Sequence, residues 1–325
     1  MHQSPIPSTS SSSRPPAPAA CSAAGHRLPA LLTAAAAGTT AILLGTGILL
    51  NSLEVTSTAV SVLWVVDALV IAVLMLSVCW FLARSHVKGR VTLPAVIIAA
   101  ALVVQQLIPT LGSVVFIVMA LAMPIEEFVA AASVIWAIRT SVVVLALLAA
   151  AAIALVAALR AAPGRRSVPV PFTATARAVI LLGTLGAALV LDVLPWLVVG
   201  ISHAEDRSIA ASYVSGLGEN LAVLLVIAAG LLLAASADGL LRWAAPAVLG
   251  LLQLASAAQQ LLLAIRSAQI GSQGQSGPLD GVLEFLAEGT LPLAFVVGAV
   301  VVGALLALGQ GRSARPLPSA DGAAS

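Results

Sequence analysis

The sequence predicts an all-α fold, a polytopic membrane bundle of eight transmembrane helices. Composition, the number of long apolar stretches and the distribution of charge support this prediction. Of the 325 residues, 60% are hydrophobic and only 9% are charged, and the mean hydropathy is +1.10. A soluble domain carries roughly 25% charged residues because its surface faces water. The surface of this protein is therefore expected to face lipid, which makes the lipid bilayer its first predicted partner.

Apolar stretches of the right length give the number of membrane crossings. A helix that spans a hydrocarbon core of about 30 Å needs about 20 mostly apolar residues. Eight stretches meet this requirement: 30–50, 58–83, 92–112, 141–160, 177–200, 209–236, 244–265 and 290–309.

Three remaining segments do not fit this simple pattern. Residues 113–123 are apolar but too short to cross, so re-entry into the membrane is one interpretation. Residues 124–138 and 278–290 begin with proline, which suits the first turn of a helix, and are amphipathic. We expect both to be interfacial helices that connect crossings, and gates or lids on the outer surface are the alternative.

The positive-inside rule fixes the predicted orientation. With the N-terminus in the cytoplasm, twelve of the fifteen basic residues fall inside, and Arg139, Arg207 and Arg266 fall outside. Fourteen of the fifteen are arginine, which we interpret as the codon bias of a GC-rich bacterial genome. The sequence thus predicts a multi-pass protein of the bacterial cytoplasmic (inner) membrane with both termini in the cytoplasm.

An internal repeat divides the predicted bundle in two. Five features of the first half recur in order in the second half, at an offset of 152 to 154 residues. They pair Asp67 with Glu219, Arg90 with Arg242, Pro94 with Pro246, Gln105–Gln106 with Gln259–Gln260, and Pro124 with Pro278. Because each half has four crossings, the halves share one orientation, as in a parallel repeat.

The predicted organisation follows from this repeat. Residues 1–28 are expected to form a disordered cytoplasmic arm, since the Ser- and Pro-rich run has nothing to bury. Residues 29–166 and 177–310 form the two parallel four-helix repeats, and 311–325 form a disordered cytoplasmic tail.

Ionisable and amide side chains inside the predicted crossings are the candidate binding residues for a substrate or a proton. An intramembrane ionisable group costs several kcal/mol unless it is paired, protonated or hydrated. The candidates are Asp67, Glu219, Gln105, Gln106, Gln259, Gln260, Asp192 and Arg139. Together they predict a polar site at the interface of the halves, open to the outside, in which Asp192 and Arg139 can pair with Asp67 and Glu219.

Each candidate also has a purely structural interpretation. Asp67 can be neutral and hydrogen-bonded to a neighbouring helix. Glu219 follows Gly216 and Gly218, so a solvated helix start is expected there. For the glutamine pairs, hydrogen bonding between helices is the expected role.

The sequence leaves three functions open. The first is a permease or carrier for a small polar solute or a proton, the second a non-catalytic membrane scaffold or accessory subunit, and the third an intramembrane enzyme acting on a lipid-linked substrate.

No HExxH, GxSxG, paired CxxC or P-loop motif occurs, so the sequence predicts no metal, no cofactor and no familiar enzyme class. The net charge of +2 argues against a nucleic-acid partner. A second copy of the chain or a partner subunit is compatible with these residues.

Overall fold

Eight long helices make up the computed structural model. It describes residues 20–52, 57–87, 89–160, 167–201, 209–236, 239–273 and 278–313, to which all structural statements below refer. The helices are α1 (Ala20–Ser52), α2 (Ser57–Ser85), α3 (Leu93–Ala122), α4 (Ile125–Arg160), α5 (Ala174–Ile201), α6 (Ile209–Ala234), α7 (Ala244–Gln273) and α8 (Pro278–Ser313).

All eight helices contain an apolar stretch long enough to cross a membrane. Large apolar side chains cover the outside of the bundle, where Leu145 and Val300 are 65% and 66% exposed. Exposed apolar surface on this scale is rare in soluble monomers but normal where lipid replaces water. The chain is therefore a multi-pass membrane protein with an all-α bundle, as the sequence predicts.

Two faces of the bundle are distinguished by the ends of the helices. The starts of the odd-numbered helices and the ends of the even-numbered helices lie at one end, here called the terminal face. The ends of the odd-numbered helices and the starts of the even-numbered helices lie at the opposite end, here called the far face. A three-stranded antiparallel sheet on the terminal face joins two of the links, and its strands are β1 (His86–Val87), β2 (Arg90–Thr92) and β3 (Ser167–Pro169).

The short sheet was not predicted, because strands of two or three residues carry no recognisable pattern. Gly89 has φ +75° in the tight β1–β2 turn, a conformation that L side chains rarely adopt. Its carbonyl accepts a hydrogen bond from the Val170 N–H at 3.0 Å. The sheet thereby ties the α2–α3 link to the α4–α5 link.

Helix packing follows the same scheme in both halves. In the first half α1 packs on α2 and α4, and α3 packs on α4; in the second, α5 packs on α6 and α8, and α7 packs on α8. Across the halves, α2 packs on α7, α3 packs on α6, and α2 touches α6. Exchanging α1–α4 with α5–α8 leaves this set of helix pairs unchanged, and the internal repeat itself stays a prediction. The division into repeat domains at 29–166 and 177–310 stays a prediction.

The expectations for 113–123, 124–138 and 278–290 are wrong. Residues 113–122 continue α3, which carries Pro109 without ending, and residues 125–138 and 278–290 are the first turns of α4 and α8. Only Met123 and Pro124 separate α3 from α4. The rings of Phe116 and Phe128 pack edge to face across this turn, with 6.4 Å between their centroids. A re-entrant segment or a separate interfacial helix is therefore not formed.

The ends of the chain also differ from expectation where they are described. α1 already begins at Ala20, within the segment expected to be a loose arm, because alanine is the best helix former. α8 continues to Ser313, and residues 1–19 and 314–325 lie outside the described part of the chain.

Arg266, one of the three basic residues predicted to lie outside, pairs with acidic residues at the far face. Its guanidinium binds the carboxylate of Asp280 and lies 3.1 Å from that of Glu284, which joins the end of α7 to the start of α8. Local neutralisation of this kind accounts for an exception to the positive-inside distribution.

The predicted orientation can be tested with reporter fusions in a bacterial inner membrane. Alkaline phosphatase fused after Met123, at the far face, is expected to be active, and the same reporter fused after Gly89, at the terminal face, is expected to be inactive. The reason is that the positive-inside rule favours the cytoplasmic side for the α2–α3 link, whose sequence carries Arg84, Lys88 and Arg90. Activity at Gly89 and none at Met123 would invert the orientation.

Candidate functional site

Helices α5 and α6 approach each other at backbone distance beside two of the predicted carboxyl residues. A Cβ at Gly218 would lie 2.4 Å from the carbonyl oxygen of Leu191 and 3.0 Å from Cγ of Pro195. Pro195 has no N–H, so the Leu191 carbonyl lacks its ordinary partner within the helix. The Cα–H of a glycine is the group that can approach such a carbonyl most closely. Gly218 and Pro195 thus act together to bring the two helices into contact.

This contact places three of the predicted polar residues together. Asp192 on α5 is buried, and its carboxyl group lies within electrostatic range of Glu219 on α6. The carboxyl group of Glu219 in turn forms a hydrogen bond with the side-chain amide of Gln259 on α7. The expectation of a solvated helix start at Glu219 is wrong, because α6 begins at Ile209, almost three turns earlier.

A hydrogen bond links this group to the first half of the chain. The amide of Asn220, the residue after Glu219, donates to the hydroxyl of Ser113 on α3 at 3.1 Å. The Ser113 hydroxyl itself donates to the carbonyl of Pro109 at 3.2 Å. The contact between α6 and α3 therefore joins the two halves through polar side chains next to the carboxyl groups.

Ser113 also lines a cavity of about 600 Å³ between α2, α3 and α4, towards the far face. We call it the Trp64–Trp136 cavity, and its lining residues are Val60, Trp64, Ser113, Phe116, Ala132, Ser133, Trp136 and Arg139. Its lining residues all belong to the first half, and Ser113 among them is bonded to Asn220 of the second half, so the cavity is not centred on the interface, where the sequence places the predicted site.

Arg139 supplies the positive charge of this cavity, and a glycine makes room for it. A Cβ at Gly112 would lie 2.8 Å from Cδ of Arg139, so the arginine side chain crosses α3 where that helix has no side chain of its own. The predicted residue Arg139 is thus placed on the cavity wall, half-buried.

Asp67 lies directly below the cavity on α2. Val60, Trp64 and Asp67 are spaced i, i+4 and i+7, so they share one face of the helix, and Asp67 is about 4–5 Å deeper than Trp64. Asp67 is 5% exposed, and its Oδ1 atom is buried without a hydrogen-bond partner in the described chain. The Oε1 atom of Gln105, on the cavity-lining face of α3 eight residues before Ser113, is buried and unpartnered in the same way.

The register of α2 against α7 relates Asp67 to the other carboxyl residues. Cδ2 of Leu76 lies 3.5 Å from the Cβ position of Gly250, and the two helices run in opposite directions. Asp67 lies nine residues before Leu76 on α2, and Gln259 lies nine residues after Gly250 on α7. Because the helices are antiparallel, Asp67 and Gln259 therefore lie at the same depth in the bundle to within about one helical turn. Since α2, α6 and α7 all pack on one another, Asp67, Glu219 and Gln259 lie on three adjoining helices at similar depth.

The remaining glutamines contribute less to this arrangement. Gln106 and Gln260 are half-buried, and their neighbours Gln105 and Gln259 carry the polar features described above. Sequence reasoning missed Ser113, Ser133 and Asn220, because isolated small polar residues in apolar helices give no signal of which face they occupy. Trp136 was also not predicted at the site, although this residue lines the cavity.

No protein-family model, curated protein or solved structure matches this chain. Among the described residues, no group of three or more His, Cys, Asp or Glu side chains is arranged to hold a metal ion. Any functional assignment must therefore come from the geometry of the cavity and the carboxyl residues.

The glycine contact between α5 and α6 gives a direct stability prediction. Gly218→Ala forces a methyl group into the Leu191 carbonyl, and overpacking of this kind costs about 1–3 kcal/mol. The thermal unfolding temperature of the purified protein is expected to fall. Gly216→Ala is the matched control: nothing lies within 4 Å of its Cβ position, so alanine is expected to be neutral or stabilising. Equal stability of the two variants would show that α5 and α6 are not in backbone contact.

Proposed function

We propose that this protein is a carrier for a small polar solute, located in the bacterial cytoplasmic membrane with its terminal face towards the cytoplasm. In this proposal the solute enters the Trp64–Trp136 cavity, and Asp67, Asp192 and Glu219 hold the coupling proton. The observation that carries the proposal is the unpartnered carboxyl oxygen of Asp67, buried one turn below the cavity on its lining face.

An unpartnered carboxyl group is costly in a membrane bundle. A buried polar atom without a hydrogen bond loses about 1–3 kcal/mol relative to a paired one. Since the Oδ1 atom of Asp67 has no hydrogen-bond partner among the described residues, we expect an apolar side chain of similar size to fill the same space without that loss. A group that weakens the fold and lies beside a cavity is typical of a functional site.

The lining of the cavity favours a particular class of solute. Arg139 offers a guanidinium that can bind a carboxylate in bidentate fashion, and Ser113 and Ser133 offer hydroxyl groups. Trp64, Trp136 and Phe116 offer apolar faces to the rest of the molecule. A volume of about 600 Å³ falls in the range of small-ligand sites. We therefore propose a small organic acid or amino acid as the solute.

The pair of Asp192 and Glu219 suits proton binding. Two neighbouring carboxyl groups in an apolar surrounding repel each other when both are ionised, which favours retention of one proton by the pair. Binding of an anionic solute near these groups would change the free energy of that protonation, and solute and proton would then be coupled reciprocally. Asn220 and Ser113 provide the physical connection between the pair and the cavity.

A membrane scaffold without transport activity is the second candidate. It is favoured by the hydrogen bond that the Gln259 amide forms with the Glu219 carboxyl group and by the one that Asn220 donates to Ser113, which join helices as polar residues commonly do in membranes. A scaffold gives no reason for the unpartnered oxygens of Asp67 and Gln105, so we prefer the carrier.

Transport can be tested in proteoliposomes that contain a trapped pH-sensitive dye. Addition of organic acids and amino acids, one at a time, is expected to reveal a solute that acidifies the lumen. In Glu219→Gln this proton movement is expected to fall to the level of empty liposomes, because the proton site is lost. Glu127→Gln, an exposed glutamate at the start of α4, should behave as wild type. Unchanged proton movement in Glu219→Gln would exclude this residue from coupling.

Asp67 separates the carrier from the scaffold. Asp67→Leu removes an unpartnered buried group, so it is expected to keep or raise the unfolding temperature while abolishing solute uptake. Asn220→Leu breaks a formed bond between α6 and α3 and is expected to lower stability by about 1 kcal/mol. If Asp67→Leu instead lowers the unfolding temperature as Asn220→Leu does, and the wild type itself takes up none of the solutes, the scaffold interpretation gains.

A further inference from the structure

A second cavity, of about 560 Å³, lies at the terminal face where α2 ends and α7 begins. It is separate from the carboxyl residues and the Trp64–Trp136 cavity, and it lies on the contact between the two halves. Arg84 comes from the last turn of α2, and Arg242 and Trp243 come from the short 3-10 helix Leu240–Trp243 that precedes α7. Leu76 and Trp80 complete the α2 side of the lining.

Two like charges therefore converge on one cavity. Arg84 and Arg242 are both exposed, and within the described chain neither has a salt-bridge partner and no acidic side chain lines the cavity. The guanidinium of Arg242 lies 5.2 Å from the ring centroid of Trp243, a cation–π contact that orients the guanidinium without neutralising it. Such a cavity is complementary to a phosphate group.

The apolar part of the lining indicates where that phosphate comes from. Trp80 and Trp243 are 39% and 58% exposed at the end of the membrane-spanning segments, the position at which tryptophan rings meet the headgroup layer. Leu76 lies one turn deeper into the membrane than Trp80 and is also exposed, so an apolar track leads from the arginines into the hydrocarbon region. A free phosphate ion would leave this track unused.

We infer that the cavity between α2 and α7 binds the phosphodiester headgroup of an anionic phospholipid, with one acyl chain along Leu76 and Trp80. Basic pockets between transmembrane helices bind anionic lipid headgroups by the same chemistry. The bound lipid would bridge α2 of one half and α7 of the other. This inference does not rest on the proposed carrier activity.

Native mass spectrometry of the detergent-purified protein tests the assignment. With phosphatidylglycerol and phosphatidylcholine supplied in equal amounts, the wild type is expected to retain one phosphatidylglycerol. Arg84→Gln and Arg242→Gln are each expected to weaken its binding about fivefold, as for loss of one basic residue near anionic lipid. Arg160→Gln, an exposed arginine at the end of α4 on the same face, is the matched control and should bind as wild type.

Other results would overturn the inference. Retention of phosphatidylcholine to the same extent as phosphatidylglycerol would show that a negatively charged lipid is not required. Unchanged phosphatidylglycerol binding in the double variant Arg84→Gln/Arg242→Gln would exclude this cavity as the binding site. In a parallel thermal-unfolding series, millimolar inorganic phosphate should not reproduce the stabilisation given by phosphatidylglycerol. If inorganic phosphate stabilises the protein and the lipid does not, the ligand is a soluble phosphate. Unfolding temperatures of the glutamine variants in lipid-free detergent that equal the wild-type value would show that these variants are folded.

Discussion

Helix α6 can carry a glutamate into the middle of an apolar bundle because Gly218 allows it to lie against the backbone of α5. The Leu191 carbonyl, freed by Pro195, faces the place where any other residue would have a side chain. The rest of the polar arrangement depends on this approach. It sets Glu219 beside Asp192, leaves Glu219 within reach of Gln259, and points Asn220 at Ser113 across the boundary between the halves.

The lipid environment explains why these contacts are so specific. Water is not available in the hydrocarbon region to bind a displaced polar group, so each one must find a partner in the protein or lie beside a hydrated space. Most polar side chains in the helices solve this locally, as Thr33 and Thr40 do by donating to the carbonyl four residues earlier. Asp67 and Gln105 retain buried acceptor oxygens that have no partner in the described chain. Both residues lie on the faces of α2 and α3 that line the Trp64–Trp136 cavity. Their unpartnered oxygens are therefore close to the site where we propose that the solute binds.

Much of the fold was accessible from the sequence because lipid imposes a simple length and charge rule. The eight crossings came from apolar run lengths, and the pairing of Asp67 with Glu219 in the repeat, which came from a constant offset, stays a prediction. Helix boundaries were less predictable: Pro109, Pro195 and Pro292 lie inside helices, where membrane packing tolerates them, so proline did not mark the ends. The importance of Gly218 and Gly112 could not be read from the sequence, since Gly216 and Gly183 have the same local context and open space at the Cβ position. Which glycine meets a neighbour is set by tertiary packing alone.

The central claim is that the Asp192 and Glu219 pair holds a proton that reaches water through the bundle. Infrared spectroscopy of the carboxylic-acid C=O stretch, recorded on the protein in H₂O and then in D₂O, tests it most directly. The account predicts a protonated-carboxyl band that shifts promptly on deuterium exchange in the wild type and loses the intensity of the pair in Glu219→Gln, while any band from Asp67 remains. A spectrum without such a band, or a band that resists exchange and keeps its full intensity in Glu219→Gln, would contradict it.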